Sequence, residues 1–456
     1  MRKALLFLVL AGCPAVISDL DGGTATGGGT ATGGGAATGG GAATGGGASV
    51  GGGSTTGGGS AMGGGGGSPP LDAGTIWPDA GVFDGGFPYA IPNPGGALLI
   101  GTNRARDIVP APLSTGDWEY TLFDCYGGGT YVADFSAGGA YVLASTGGHR
   151  CPPNFGAALF DFVDATWKRV DNANGMPHRV DDLEVSEVNS EDEIAISGVT
   201  PNAMPAPTHT YQNVAPIPTA QGGGPRGSVA TVIGLFSTVT ARGTSRAHRF
   251  DLDTGVWSRL STNTAAHGGF TSLWEPSQQR YWVFPNELHA FGDLAYLDAT
   301  DWTFKTVSLG NYPATDGAND TSFFEPTSRL LIVQTSTGHL RAMRVDAPAM
   351  NFTQLTVMGA LPNSCRANRW ERDPASGNFY CYPGSGQTLH KLTVPTNALT
   401  GTWINSDITI SGVTMPGDPD SGNGSTHYTR FFYVPALGCF AWIGNANGQV
   451  VLLNPP

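Results

Sequence analysis

"WEPSQQRYWVF", residues 274–284, is an apolar run, a proline turn and a second apolar run. Two short strands joined by a tight turn make a hairpin, and proline pre-sets the turn's backbone. The pattern returns in "FEPTSRLLIVQ" (324–334), "ERDPASGNFYCY" (371–382) and "YVPALGCFAWIG" (433–444). Pro276, Pro326, Pro374 and Pro435 thus mark a repeat of about 50–60 residues. "APIPTAQGGGPRGSVATVIGLF" (215–236), with Pro218, is a stretched copy, and "YVADFSAGGAYVLA" (131–144) is a copy without proline. These are six hairpins.

A second element follows each hairpin but the last. "LFDFVDATWKRV" (159–170), "RFDLDTGVWSRL" (249–260) and "AYLDATDWTFKTV" (295–307) align, and "RVDAPAMNFTQLTV" (344–357) and "LTVPTNALTGTWINS" (392–406) are looser versions. Each is a strand, a polar turn and a strand opening on an aromatic: Trp167, Trp257, Trp302, Phe352 or Trp403. One large ring fills the wedge between two twisted sheets. The last hairpin ends in "GQVVLLNPP", with no aromatic strand after it. "STGDWEYTLF" (114–123), with Trp118, stands before the first hairpin and is the expected fourth strand of the last blade. The fold expected is all-β: a six-bladed propeller closed into a ring without a loose sheet edge. A seven-bladed ring, seeded by "GALLIGT" (96–102), ranks second.

The aromatic-bearing "RFDLDTGVW" resembles the kelch repeat, and roughly 97–456 is similar to the kelch-type propeller of galactose-oxidase-like proteins. The double glycine after the second strand is clear only at Gly147-Gly148. The resemblance implies either a binding propeller or, as the alternative, a metal-assisted enzyme acting on extracellular carbohydrate or alcohol. Copper-radical chemistry of that family uses a tyrosine cross-linked to a distant cysteine, a second tyrosine beside a histidine, and another histidine. Cys125-Tyr126 and His427-Tyr428 come nearest, but the family's local motifs are not reproduced, and no catalytic residue is carried over.

The residues ahead of the propeller set a compartment. Arg2 and Lys3 precede an apolar run, Ala4 to Leu10, far short of the ~20 residues of a spanning helix. That is the layout of an export signal. Leu10-Ala11-Gly12-Cys13 resembles the bacterial lipobox, which implies a signal peptide over 1–12 and acyl chains on Cys13, a membrane partner. Pro14 stands where an aspartate would favour the inner membrane, so the expected site is the outer membrane. Residues 13–95 are read as a linker, first a glycine, threonine and alanine repeat, then a proline-rich stretch. The glycine-rich part cannot bury a core and has a reach of roughly 35–40 Å. The propeller then spans 96–456.

Lys+Arg number 23 against 36 Asp+Glu, a net charge of −13, which argues against nucleic acid as a partner. An exported chain can oxidise its cysteines. Cys365 with Cys381, and Cys125 with Cys151, are plausible pairs by nearness, and Cys439 is left as a buried thiol.

In a propeller the loops leading into the first strands share one face. Tyr126, His209, His267, Asp320, Arg366 and His427 fall near one equivalent position there and are the ligand-binding candidates, for a protein or a glycan. Each could instead bond the backbone of the next blade. His209, His267 and His427 are the candidates for a transition metal such as copper. "DPDSGNGS" (418–425), with Asp418, Asp420 and Asn423, resembles a calcium loop but lacks the distal glutamate. The acidic run "VDDLEVSEVNSEDE" (180–193), beside His178, reads as a solvated face.

Overall fold

The computed structural model describes residues 86–108, 127–144, 155–175, 193–195, 198, 200, 203–206, 210, 212–232, 246–265, 269–285, 293–309, 321–335, 337–347, 350–365, 369–416, 428–444 and 450–456. Among these, six sheets form. The first strand in the chain, β1 (Gly96–Ile100), belongs to the last sheet. Blade 1 is β2 (Gly129–Val132), β3 (Ala140–Ala144), β4 (Ala157–Asp161) and β5 (Thr166–Val170). Blade 2 is β6 (Val214–Ile217), β7 (Ser228–Thr231), β8 (His248–Asp251) and β9 (Trp257–Arg259). Blade 3 is β10 (Gly269–Glu275), β11 (Arg280–Pro285), β12 (Asp293–Asp298) and β13 (Thr303–Ser308). Blade 4 is β14 (Thr321–Glu325), β15 (Leu330–Gln334), β16 (Leu340–Arg344) and the short β17 (Thr353–Gln354). The chain then crosses as β18 (Thr356–Met358), which pairs in parallel with the outer strand of blade 5. Blade 5 continues as β19 (Glu371–Arg372), β20 (Phe379–Cys381), β21 (Thr388–Thr393) and β22 (Thr402–Thr409). Blade 6 is β23 (Phe431–Val434), β24 (Cys439–Ile443), β25 (Val450–Asn454) and β1.

The fold is thus a six-bladed all-β propeller, but its closing strand is not the one expected. β1 pairs antiparallel with β25, from Gly96–Asn454 to Ile100–Val450, and occupies the fourth-strand position assigned to the segment around Trp118. Residues 114–123 lie outside the described residues. The stretch read as seed of a seventh blade is the strand that closes the sixth.

Acidic residues set the hairpin turns. Glu275 accepts from the backbone N–H of Ser277 at 2.8 Å and of Gln278 at 3.1 Å. Glu325 accepts from Thr327 and Ser328, and Asp373 from Ala375 and Ser376, each within 3.1 Å. In blades 3, 4 and 5 the carboxylate before the proline satisfies the turn's own donors, as an Asx or ST side chain does elsewhere, whereas Ile217 and Val434 precede the prolines of blades 2 and 6.

Each sheet is buried on both faces, and one apolar cluster fills each gap between blades. Phe160, Trp167, Phe432 and Ile443 pack between blades 6 and 1. Val142, Phe250 and Trp257 pack between blades 1 and 2, and Tyr281, Leu297 and Phe304 between blades 2 and 3. Trp282 and Leu331 fill the next gap, Phe323 and Trp403 the one after, and Tyr382 and Trp442 the last. Blade 3 corrects the aromatic alignment. Phe160 pairs with Trp167 and Phe250 with Trp257, and the equivalent pair is Leu297 with Phe304, not Trp302. Trp302 instead holds the left-handed turn position, φ 53°, taken by Ala165 and Gly255 in blades 1 and 2.

An asparagine clasp links successive outer strands. Asn103 donates to the Trp167 carbonyl at 2.9 Å and accepts from the Trp167 N–H at 2.7 Å. Asn174 does the same for Trp257, and Asn263 for Phe304. The residue before each asparagine bonds the left-handed turn carbonyl: Thr102 to Ala165, Ala173 to Gly255, Thr262 to Trp302. Each side-chain amide acts as a short β-partner for the next blade's outer strand.

Residues 86–95, expected as the end of the linker, are packed. Phe87 and Tyr89 rest on the cluster between blades 6 and 1, and the Tyr89 hydroxyl donates to the Phe162 carbonyl in the β4–β5 turn. Cys365 and Cys381 form a disulfide as expected, and Cys439 is a buried free thiol whose pKa burial pushes up to about 12. Cys13, Cys125 and Cys151 lie outside the described residues.

Removing the clasp leaves the Trp257 N–H and carbonyl, buried with it, without partners. Asn174→Ala should destabilise the protein by about 1–3 kcal/mol in denaturant titration. Alanine at the exposed Asn363 should leave the midpoint unchanged.

Candidate functional site

Antiparallel order puts the hairpin turns on one face of the ring. The loops leading into first strands, and those joining second to third strands, lie on the other, here termed the leading face. The six candidates Tyr126, His209, His267, Asp320, Arg366 and His427 all belong to leading-face loops and all lie outside the described residues, as does the calcium-like loop 418–425. What is described is the start of each first strand and the residues next to it, here termed the axial floor.

The turn prolines give the register of that floor. Five residues before Pro218, Pro276, Pro326, Pro374 and Pro435 stand Asn213, Thr271, Thr321, Arg369 and Arg430. Side chains at or beside these positions bond across the ring. The Gln212 amide oxygen accepts from the hydroxyls of Thr271 and Thr321, both at 3.1 Å, and the Thr271 and Ser322 hydroxyls meet at 3.0 Å. Thr210 accepts from the Gly128 N–H at 2.8 Å, and Thr429 from the Gly129 N–H at 3.0 Å. Arg369 of blade 5 donates through Nη2 to the Ser272 carbonyl of blade 3 at 2.6 Å and to the Gln212 carbonyl, just ahead of β6, at 3.2 Å. Blades 5 and 2 are opposite one another in a ring of six, so the guanidinium crosses the axis. A polar network from blades 2 to 5 therefore crosses the axis, with separate bonds from Thr210 and Thr429 to the backbone of blade 1.

Two features of this floor depart from ordinary packing. Arg369 and Thr429 have φ of 63° and 55°, a left-handed region that side chains, and branched ones above all, rarely adopt. Glu371 stands three residues before its proline, where blades 3, 4 and 6 place Leu273, Phe323 and Phe432. Burial raises its pKa to about 7, with Arg369 opposing the shift, and it makes no ion pair among the described residues. Burial likewise lowers the Arg369 pKa. A carboxyl poised near neutrality beside an arginine is the electrostatic signature of a working site, and also of a merely buried pair.

Other histidines have structural partners. His248 Nε2 meets Glu193 Oε1 at 2.9 Å, and Arg259 Nε donates to the same oxygen at 2.8 Å. His248 and Glu193 are both fully buried, and burial lowers the His248 pKa. Glu193 closes the acidic run read as a solvated face, and here it is core: the carboxylate ties the insertion between blades 1 and 2 to β8 and β9. His390 pairs with Asp407 at 2.7 Å on the outer surface of blade 5. His339 and Gln354 line a hollow of about 450 Å³ at the rim between blades 4 and 5, away from the axis. Among the described residues no cluster of His, Cys, Asp or Glu could hold a metal ion.

No protein-family model matches the sequence, and no curated protein matches it. Among solved structures, a protein of unknown function from Bacteroides thetaiotaomicron is 12% identical, over 78% of this chain and 74% of that one, with a TM-score of 0.44. The β-propeller domain of Cps50 (Swd1) from Myceliophteria thermophila is 10% identical, over 76% of this chain and 100% of that one, with a TM-score of 0.37. The blade count rests on the strand order of this chain itself.

A carboxyl whose pKa rises on folding binds its proton more tightly in the native state. Its stabilising proton is present below about pH 4.5 and lost as pH rises through about 7. Glu371→Leu, the residue type of blade 3, should therefore remove a fall in stability between pH 5 and pH 8, of order 1–3 kcal/mol. Denaturant midpoints of both proteins at the two pH values check it: a gain from the substitution at pH 8 that shrinks toward pH 5.

Proposed function

We propose that this protein is a lipid-anchored binding module of the outer membrane, engaging a protein or glycan through its leading face. The observation that carries the reading is convergence. Five blades bring polar side chains, and the sixth its backbone, toward the axis, and the sequence just ahead of the first strands carries three histidines, an aspartate, an arginine and a tyrosine. Convergent polar groups on a rigid scaffold are what binding sites are made of. The net charge of −13 leaves nucleic acid aside as partner.

The N-terminal features support the presentation. Acyl chains on Cys13 would supply the anchor, since more than one chain gives stable attachment. Phe87 and Tyr89 pack beside the β4–β5 turn, on the face opposite the leading loops.

Two measurements test the reading. Cells expressing the protein and fed labelled palmitate should label the wild type, and Cys13→Ser should abolish the label and shift the protein out of the membrane fraction. A screen of glycans and surface proteins against the full chain should return a ligand whose affinity falls at least tenfold when His209, His267 and His427 are replaced together. Stoichiometric copper bound by wild type and lost in that triple variant would instead favour an enzyme.

A further inference from the structure

We infer that Asn174–Gly175 is a deamidation site guarded by its own clasp, so that opening of the seam between blades 1 and 2 is recorded as a permanent carboxylate. The inference is independent of any ligand at the leading face. The three clasping asparagines, Asn103, Asn174 and Asn263, are followed by Arg104, Gly175 and Thr264. Gly175 has a φ of 98°, a region that favours glycine, whereas no positive φ occurs at Arg104 or Thr264. The fold asks for glycine after this one clasp residue, and glycine is the neighbour that leaves an asparagine most open to attack.

The chemistry needs only atoms of the chain and water. The Gly175 nitrogen gives up its proton to base and attacks Asn174 Cγ. A new C–N bond closes a five-membered imide, the bond from Cγ to Nδ2 breaks, and Nδ2 takes up protons from water and leaves as ammonia. Water then adds to either imide carbonyl and opens the ring to aspartate or isoaspartate. The sum is an amide and water giving a carboxylate and ammonium. A side chain on the following residue hinders ring closure by crowding the nitrogen and restricting the backbone; glycine does neither.

In the folded chain the nucleophile is ready and the electrophile is held. Gly175 is exposed, and its N–H bonds no other described residue. Asn174 is buried, its Oδ1 accepting from the Trp257 N–H at 2.6 Å and its Nδ2 donating to the Trp257 carbonyl at 2.9 Å. The backbone beside it is pinned as well: the Asn174 N–H donates to Asn172 Oδ1 at 2.6 Å and the Ala173 N–H to the Gly255 carbonyl at 2.8 Å. To bring Cγ to the Gly175 nitrogen, the side chain must turn out of the clasp and give up both bonds at the buried Trp257. Ring closure therefore waits for local opening. A carboxylate cannot restore what was lost. It still accepts from the Trp257 N–H, but it sets an oxygen against the Trp257 carbonyl, where the amide had a donor, and a charge where almost no solvent reaches. Isoaspartate adds a methylene to the backbone and takes the side chain out of register.

The test is peptide mapping by mass spectrometry of the full chain, held in mildly alkaline buffer either folded or unfolded in guanidinium chloride. The mass gain of amide-to-acid conversion is followed at Asn174. The other Asn–Gly pairs of the sequence, Asn423–Gly424 and Asn447–Gly448, are references for the unfolded chain. Conversion at Asn174 should keep pace with both references when the chain is unfolded and run at least tenfold slower when it is folded. Gly175→Ala should slow conversion at least tenfold in the unfolded chain, a comparison that needs no folded variant. Asn174→Asp, which supplies the product, should lower the denaturant midpoint, up to failure to fold. Equal rates in the folded and unfolded chains, an Asn174 that stays intact while Asn423 and Asn447 convert, conversion indifferent to Gly175→Ala, or a midpoint unchanged by Asn174→Asp overturns the inference.

Discussion

Every sheet in this protein is covered on both sides, and that constraint governs the rest. Alternate side chains of a strand point to opposite faces. Phe431 and Phe440 therefore serve the gap between blades 5 and 6, while Phe432, Cys439 and Ala441 serve the gap between blades 6 and 1. A blade with only one neighbour would expose half of this surface. The ring must close, and β1 closes it by pairing with β25, so residues at opposite ends of the propeller finish one sheet. Full burial also explains the composition of the second strands. AYVLA, LLIVQ and CFAWI are buried at every position, so they read as continuous apolar runs rather than as alternation.

Across a blade the chemistry changes with distance from the axis. At or near the start of the first strands stand Asn213, Thr271, Thr321, Arg369 and Arg430, second strands are apolar, and outer strands such as TWINSDIT carry exposed polar positions. The gradient is physical. Near the axis six backbones crowd together, so small hydrogen-bonding side chains and glycine fit where large apolar ones do not. At Gly129 a Cβ would collide with the Tyr141 ring, and the Thr429 hydroxyl occupies the space beside its backbone. At the rim the blades splay apart, and there the clasping asparagines bridge neighbours that apolar contact alone would hold loosely.

This layout decides what could be read from the sequence. The hairpins were legible because a turn between two apolar runs is a purely local device, marked by a proline in five copies and in blades 3, 4 and 5 by an acid that satisfies the turn's donors. The closing strand was not. The outer-strand aromatic served as its marker, yet GALLI has none, because Trp442 on β24 already fills that wedge and Ala97 need only cover it. Trp302 misled for a different reason: the turn has the same length as in blades 1 and 2, but blade 3 places a tryptophan at its left-handed position and leaves Phe304 to pack. Glu193 was invisible as core because its partners, His248 and Arg259, are far away in sequence. The axial floor was within reach, five residues ahead of each proline, but the loop residues just before it drew attention because histidines stand out.

Blade 5 breaks the repeat more than any other described blade, and its departures point to one place. It shares with blade 6 an arginine, Arg369, where blades 3 and 4 have threonine, and it alone of blades 3 to 6 puts an acid, Glu371, where the others have leucine or phenylalanine. It takes up a parallel fifth strand, β18. It also carries the Cys365–Cys381 disulfide, which ties the loop leading into β19 to the far end of β20. Both anchor points lie on the leading face, so the cross-link restrains the short stretch that delivers Arg369 to the axis. Sequences that agree with their fold at every level specify stability; where they disagree, function is the usual reason. Here the disagreements are a strained backbone, a desolvated guanidinium and a carboxyl poised near neutrality, and the covalent brace is spent on the same few residues. The acid at Glu371 is the departure that packing does not ask for, since blades 3, 4 and 6 fill that position with Leu273, Phe323 and Phe432.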